Sequence, residues 1–266
     1  MQPLAQAGEH NPLRLRPPPG FRVAVVGGCG GIGRAFVAAA LDAGMTVCIL
    51  DLPASIAAHP PPVACLTRAV DATSPANMES AFTDIRAAWG ALDGLVNLCG
   101  FSGPRKPLLE LDPATWREVI QGNLDAAFLS SKFALPLLQA GSSPAIVHVA
   151  SSLAVKASPG YGPYASAKAG ILSLTRMLAA EHSPAIRVNA VAPSAVRTEF
   201  ITGGTGRQSQ GSSAPLLDLD AYGRTPPLQR VAEAEDVVGP ILFLLGRGSR
   251  YMTGQVLHVN GGLFQP

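Results

Sequence analysis

The stretch Val25-Val26-Gly27-Gly28-Cys29-Gly30-Gly31-Ile32-Gly33-Arg34 decides how the rest of the sequence is read. An apolar, β-rich run over residues 21–26 meets a glycine-dense turn, and a helical pattern over 31–43 follows and stops at Gly44. Glycines in such a turn let the backbone bend tightly and approach a pyrophosphate closely. The helix behind it presents free N–H groups and the positive end of its dipole to that anion. Taken alone, the turn has a plain glycine turn as its alternative. The next apolar run, 45–51, ends on Asp51, eighteen residues past Gly33. A carboxylate there accepts hydrogen bonds from both ribose hydroxyls of an adenosine and repels a 2′-phosphate. The alternative is a solvated acid at a strand end. Positions 30 and 52 hold no basic residue.

Working outward, the same alternation continues. Apolar runs at 63–70, 92–98, 145–150, 186–192 and 256–259 read as strands. Helical patterns at 74–89, 112–139, 162–181 and 233–245 separate them, with loops at 53–62 and 201–225. Seven short apolar strands alternating with helices predict a parallel sheet covered on both faces. Right-handed crossovers then make it a single doubly wound α/β domain over residues 21–266. Residues 1–20, with five prolines, are expected to form a flexible or extended arm.

Composition excludes several classes. Of 266 residues, 47% are hydrophobic and 14% charged, which excludes bulk disorder. The net charge of +2 and 6% aromatics argue against nucleic acid as a partner and against a polybasic membrane anchor. No apolar run approaches the ~18 residues of a membrane span. Four scattered cysteines form no CxxC pair and five histidines show no metal-ligand spacing, so no metal is expected. The cysteines read as small buried hydrophobes in a reducing, cytoplasmic compartment.

A second signal is Tyr164-Ala165-Ser166-Ala167-Lys168. Positions four apart share a helix face, so the ammonium sits beside the phenol and is expected to favour the phenolate. A phenol so tuned exchanges a proton with an alcohol oxygen. The same spacing also occurs on ordinary helix surfaces. The strand over 145–150 ends at Ser151 and Ser152, and ligands in such sheets sit at the carboxyl ends of strands. Either hydroxyl is a candidate to hold a substrate oxygen, or a polar strand terminus. The run Pro104-Arg105-Lys106-Pro107 reads as a solvated loop near the mouth of such a site, with substrate contact as its alternative.

Together these residues resemble the short-chain dehydrogenase/reductase family, across nearly all of residues 21–263. The resemblance implies a Rossmann fold with Gly27, Gly31, Ile32 and Gly33 as the cofactor loop. It implies Asp71 near the adenine, Asn97 and Gly100 after the fourth strand, and Pro193, Val196 and Thr198 along the nicotinamide. The family's serine precedes its tyrosine by thirteen residues, which selects Ser151 over Ser152. The catalytic set it implies is Asn123, Ser151, Tyr164 and Lys168, with Tyr164 as acid/base and Lys168 also binding the ribose. Val26, Leu98-Cys99 and Ser194 depart from the family's usual Thr, Asn-Ala and Gly. The implied activity is NAD-dependent hydride transfer to or from a secondary alcohol or ketone. The alternatives are an NADPH-linked 3-oxoacyl thioester reductase and a catalytically silent NAD-binding module. A homotetramer, pairing helices 113–139 and 162–182 through Phe128, Phe133, Leu172 and Leu174, is also implied. Specificity is expected in loops 101–107, 153–161 and 199–225, where Leu153, Val155, Phe200, Leu216, Leu217 and Tyr222 suggest a partly apolar pocket.

Overall fold

Alternate residues of the first strand face opposite ways, and both faces are apolar. In the computed structural model, which describes residues 15–204 and 217–265, β1 (Arg22–Val26) sends Val23 and Val25 to one side and Ala24 and Val26 to the other. A strand apolar on both faces must be covered on both. The first side packs against Phe36 and Val37 of α1 (Gly31–Asp42) and Val237 and Ile241 of α8 (Ala234–Leu245). The second packs against Met78 and Ile85 of α3 (Pro75–Trp89) and Leu137 of α5 (Ala126–Leu138), with Leu178 of α6 (Gly162–His182). The other strands are β2 (Thr46–Asp51), β3 (Leu66–Ala69), β4 (Gly94–Asn97), β5 (Ala145–Val149), β6 (Arg187–Pro193) and β7 (Val256–Val259). All pairs are parallel, in the order β3-β2-β1-β4-β5-β6-β7. The chain therefore reverses its direction of winding between β1 and β4. That is where the carboxyl ends of a doubly wound sheet leave a crevice.

Three departures from the sequence reading stand out. The stretch 53–62 is not all loop: Pro53–Ala58 forms α2, with proline in its first turn. A proline there lacks only an N–H that would be unpaired anyway, so it starts a helix as readily as it breaks one. The helix expected over 112–139 is interrupted. It consists of α4 (Pro113–Ile120), one π turn (Gln121–Asp125) and α5. Within 201–225, Leu219–Gly223 forms the short helix α7, capped by the Asp218 carboxylate on the amides of Asp220 and Ala221.

At the amino ends of the strands, Asp93 accepts from Arg22 Nε (2.9 Å), Arg22 Nη2 (3.0 Å), the Arg22 amide (3.0 Å) and the Ser142 amide (2.8 Å). Burial alone would raise this carboxyl, but these bonds outweigh it and hold it below the usual range. Residues 15–20 lie against the same end: Gly20 donates to Gly44 O (2.7 Å) and Gly248 to Leu15 O (3.4 Å). In the interior, His148 of β5 is wholly buried. Its Nε2 meets Ser131 Oγ of α5 (3.0 Å) and its Nδ1 meets Thr175 Oγ1 of α6 (2.9 Å).

Candidate active site

The crevice at the carboxyl ends of the strands holds a cavity of about 370 Å³. Gly27, Gly31, Ile32, Gly33, Asp51, Asp71, Gly100, Ser151, Tyr164, Lys168, Pro193, Val196 and Thr198 all line it. Asn97 and Asn123 do not, and both act from behind the wall. Asn97 Oδ1 accepts from the Cys99 amide (3.0 Å), fixing the turn after β4. Asn123 sits on the π turn, where its Nδ2 donates to Val119 O and Phe101 O, both at 2.9 Å. Such a turn adds a residue to the helix, and π turns concentrate at functional sites. On this turn Asn123 Oδ1 is buried with no partner. Gly100, at φ 151°, makes room beside it. A Cβ there would strike Asn123 Oδ1 and come within 3.2 Å of Lys168 Nζ.

At the dinucleotide end, α1 starts at Gly31 with no side-chain cap and no acid in its first turn. Its free N–H groups open into the cavity, as an anion site requires. Asp51 stands at the end of β2, with Oδ2 accepting from the Cys29 amide and Oδ1 from the Leu52 amide, both at 2.8 Å. Burial, together with that carboxylate, pushes the Cys29 thiol up to about 12. Asp71 Oδ1 accepts from the Thr73 amide (2.9 Å) and hydroxyl (2.7 Å). This uncapped helix end, with two strand-end carboxylates beside it, fits a dinucleotide whose pyrophosphate lies at α1.

At the reacting end, the α6 spacing puts Tyr164 and Lys168 on one buried face. Lys168 Nζ donates to Val149 O (3.0 Å) and lies 5.5 Å from the Tyr164 ring centre. Burial pushes Lys168 down to about 8. The expected balance on Tyr164 is reversed. Burial pushes the phenol above its ordinary value, and a hydrogen bond from Ser151 pulls it back only in part. Burial is the largest cause, and the nearby Tyr161 pushes in the same direction. Ser151 Oγ also accepts from the Leu153 amide (3.1 Å), while the neighbouring Ser152 hydroxyl is buried and unpartnered.

Leu153, Phe200, Leu217 and Tyr222 form part of the wall, and Phe200 packs 5.8 Å from Tyr164. Val155 points outward at 48% exposure, and Leu216 lies outside the described residues. Two further lining residues, Lys156 and Glu199, lie in the loops expected to set specificity, although neither has a motif that marks it individually. Glu199 Oε1 accepts from Arg34 Nη2 (2.6 Å) and lies 3.6 Å from His59 Nε2. Arg34 also donates to Cys29 O (2.8 Å), so it is held inward against the glycine turn and the loop after β6. A Cβ on Gly31 would lie 2.5 Å from Thr198 Cγ2, which shows how closely that loop crosses the turn.

Comparison with known proteins agrees with this geometry. A family model described as enoyl-(acyl carrier protein) reductase matches residues 27–264. 2-(S)-Hydroxypropyl-CoM dehydrogenase 3 of Xanthobacter autotrophicus is 32% identical over 249 residues, covering 91% of this chain and 95% of that protein. Cis-4-hydroxycyclohexanecarboxylate dehydrogenase of Sinomonas cyclohexanicum is 36% identical over 177 residues, 66% of this chain and 67% of that protein. Among solved structures, the ligand-free aldohexose dehydrogenase of Thermoplasma acidophilum superposes with a TM-score of 0.82 at 27% identity, covering 92% of this chain and 94% of that one. With a nicotinamide-type cleft and a buried Ser–Tyr–Lys group in one cavity, the chain belongs to the short-chain dehydrogenase/reductase family and is an oxidoreductase.

Proposed function

We propose that the protein is an NAD(H)-dependent dehydrogenase acting on a small secondary alcohol or the matching ketone. The observation that carries this reading is that Ser151, Tyr164 and Lys168 line the same cavity as the uncapped start of α1 and Asp51. When bound, nicotinamide supplies the carbon that gives or receives a hydride. Gly31, Ile32 and Gly33 would hold the pyrophosphate, Asp51 the adenosine ribose and Lys168 the nicotinamide ribose. Ser151 orients the substrate oxygen through its hydroxyl. Tyr164 donates its proton to that oxygen in ketone reduction, and its raised pKa keeps it in the protonated form this direction needs. In alcohol oxidation Tyr164 first gives up its own proton through the water relay, Ser151 and Lys168 would stabilise the resulting phenolate, and that phenolate then takes the alcohol's proton. Asn123 Oδ1, buried and unpartnered, is placed to accept from a relay water near Lys168.

Asp51 favours NAD over the NADPH-linked thioester reading, because it would face a 2′-phosphate at contact distance. The test is a panel of secondary alcohols and ketones run with NAD(H) and NADP(H) in parallel. Turnover with NAD(H) that disappears in Tyr164→Phe supports the reading. Cofactor binding without turnover anywhere in the panel favours the silent module.

A further inference from the structure

The charges lining the cavity are divided between its two ends. Its carboxylates are Asp51, Asp71 and Glu199, and each is engaged: by the Cys29 and Leu52 amides, by Thr73, and by Arg34. All three belong to the dinucleotide end. Around the reacting end, the described lining residues include Phe101, Ser102, Ser152, Leu153, Tyr161 and Leu263, and none is acidic. Among the described residues, the charged side chain that lines this end outside the Tyr–Lys pair is Lys156.

Lys156 is one turn beyond the catalytic serine. Its amide donates to Ser152 O (2.9 Å), so the two residues share one hydrogen-bonded turn. Its Nζ lies 6.0 Å from the Phe264 ring centre, and no carboxylate among the described residues is within ion-pair distance of it. Across the mouth, Arg105 stacks 5.3 Å above the ring of Tyr161, itself a lining residue, and donates to Pro159 O (3.4 Å). The Lys106 amide bonds to Gly160 O (3.2 Å), so the second basic segment is fastened to the same rim. A cation without an acid and a basic rim around an otherwise apolar pocket are a receptor for an anion carried on an apolar frame.

We infer that the substrate is a hydroxy or oxo carboxylate, whose carboxylate is held by Lys156 while its alcohol or carbonyl carbon faces Tyr164. Lys156 is then a specificity-determining residue. The inference rests on the dehydrogenase reading and adds the substrate's charge to it.

The test uses protein loaded with NADH and follows bound-nucleotide fluorescence as two non-reacting probes are titrated in. The probes are cyclohexanecarboxylate and its uncharged analogue cyclohexanecarboxamide. The carboxylate is expected to bind at least ~10-fold more tightly, the scale of one charge-assisted hydrogen bond. That preference should fall as salt is added. In Lys156→Met the ratio of the two affinities should collapse toward one, and Lys156→Arg should restore most of it. Equal affinities in the wild type, a preference that survives Lys156→Met, or no response to either probe would each overturn the assignment. Failure of the protein to bind NADH at all would instead remove the dehydrogenase reading, and this inference with it.

Discussion

Tyr164 shows how one side chain is set for its task by burial more than by its partner. The phenol is 7% exposed, and the loss of water raises its pKa further than the Ser151 hydrogen bond lowers it. Replacing it with Phe removes one oxygen and keeps the packing against Phe200. Turnover is therefore expected to fall by ~100-fold or more while NADH affinity, read by fluorescence titration, changes little. Unchanged turnover would take the acid/base role away from Tyr164. Asp51 makes a second prediction at this scale. Both its oxygens already accept backbone N–H bonds, but each carboxylate oxygen retains a lone pair for a ribose hydroxyl. A 2′-phosphate has no such use for it. NAD should be preferred over NADP by at least ~100-fold in kcat/KM, about 2.7 kcal/mol. Asp51→Ser should shrink that ratio, and adding Leu52→Arg should narrow or invert it. Equal efficiency of the wild type with both cofactors would remove the role given to Asp51.

Between elements, the Arg34–Glu199 contact ties α1 to the loop that follows β6, across 165 positions of sequence. While Glu199 neutralises Arg34, the guanidinium is not free to receive an additional phosphate. Glu199→Gln keeps the size of the side chain and removes the charge. It should raise affinity for NADPH several-fold more than affinity for NADH, a shift that parallel binding titrations would show. An unchanged ratio would mean that Arg34 does not reach the adenosine side. This contact also marks where reading the sequence stops. The strands were legible because a buried parallel sheet demands unbroken apolar runs, and Asp51 and the Tyr164–Lys168 pair could be singled out by their offsets on those elements, whereas only the family resemblance separates Ser151 from Ser152. Long-range pairs leave no such offset. The π turn was invisible for a related reason: one inserted residue in 121–125 disturbs the helical period too little to be seen, yet it places Asn123. Strand β3 was drawn too long at its start, since Val63 is apolar but fully exposed after the prolines at 60–62. The surplus apolar surface expected on α5 and α6 is mostly spent within the chain. Leu172 is buried and Phe133 and Leu174 pack on the core, while Phe128 remains 47% exposed.

For the molecule as a whole, the interior polar link at His148 governs how stability responds to acid. The ring joins β5 to α5 and α6 through Ser131 and Thr175, whose hydroxyls also face the carbonyls of Ala127 and Ile171 one turn back. Burial, and secondarily the charge of Lys168, push His148 down to about 4. Unfolded, the same ring titrates near the ordinary histidine value of about 6.5. The folded value is the lower one, so the unfolded chain binds the extra proton. Stability is therefore at its full value above pH ~6.5, falls as the pH drops, and stops falling on this account near pH 4, with a total loss of about 3 kcal/mol. Asp93, held below the carboxylate range, adds a separate decline at lower pH as its own proton goes on. Urea midpoints measured from pH 7 to pH 4 should trace the first slope in the wild type. His148→Asn offers the same two hydroxyls an amide that does not titrate, so its midpoints should be nearly flat over that interval even if they start lower. A wild type with flat midpoints between pH 6.5 and 4 would show that the ring accepts a proton without leaving the folded interior.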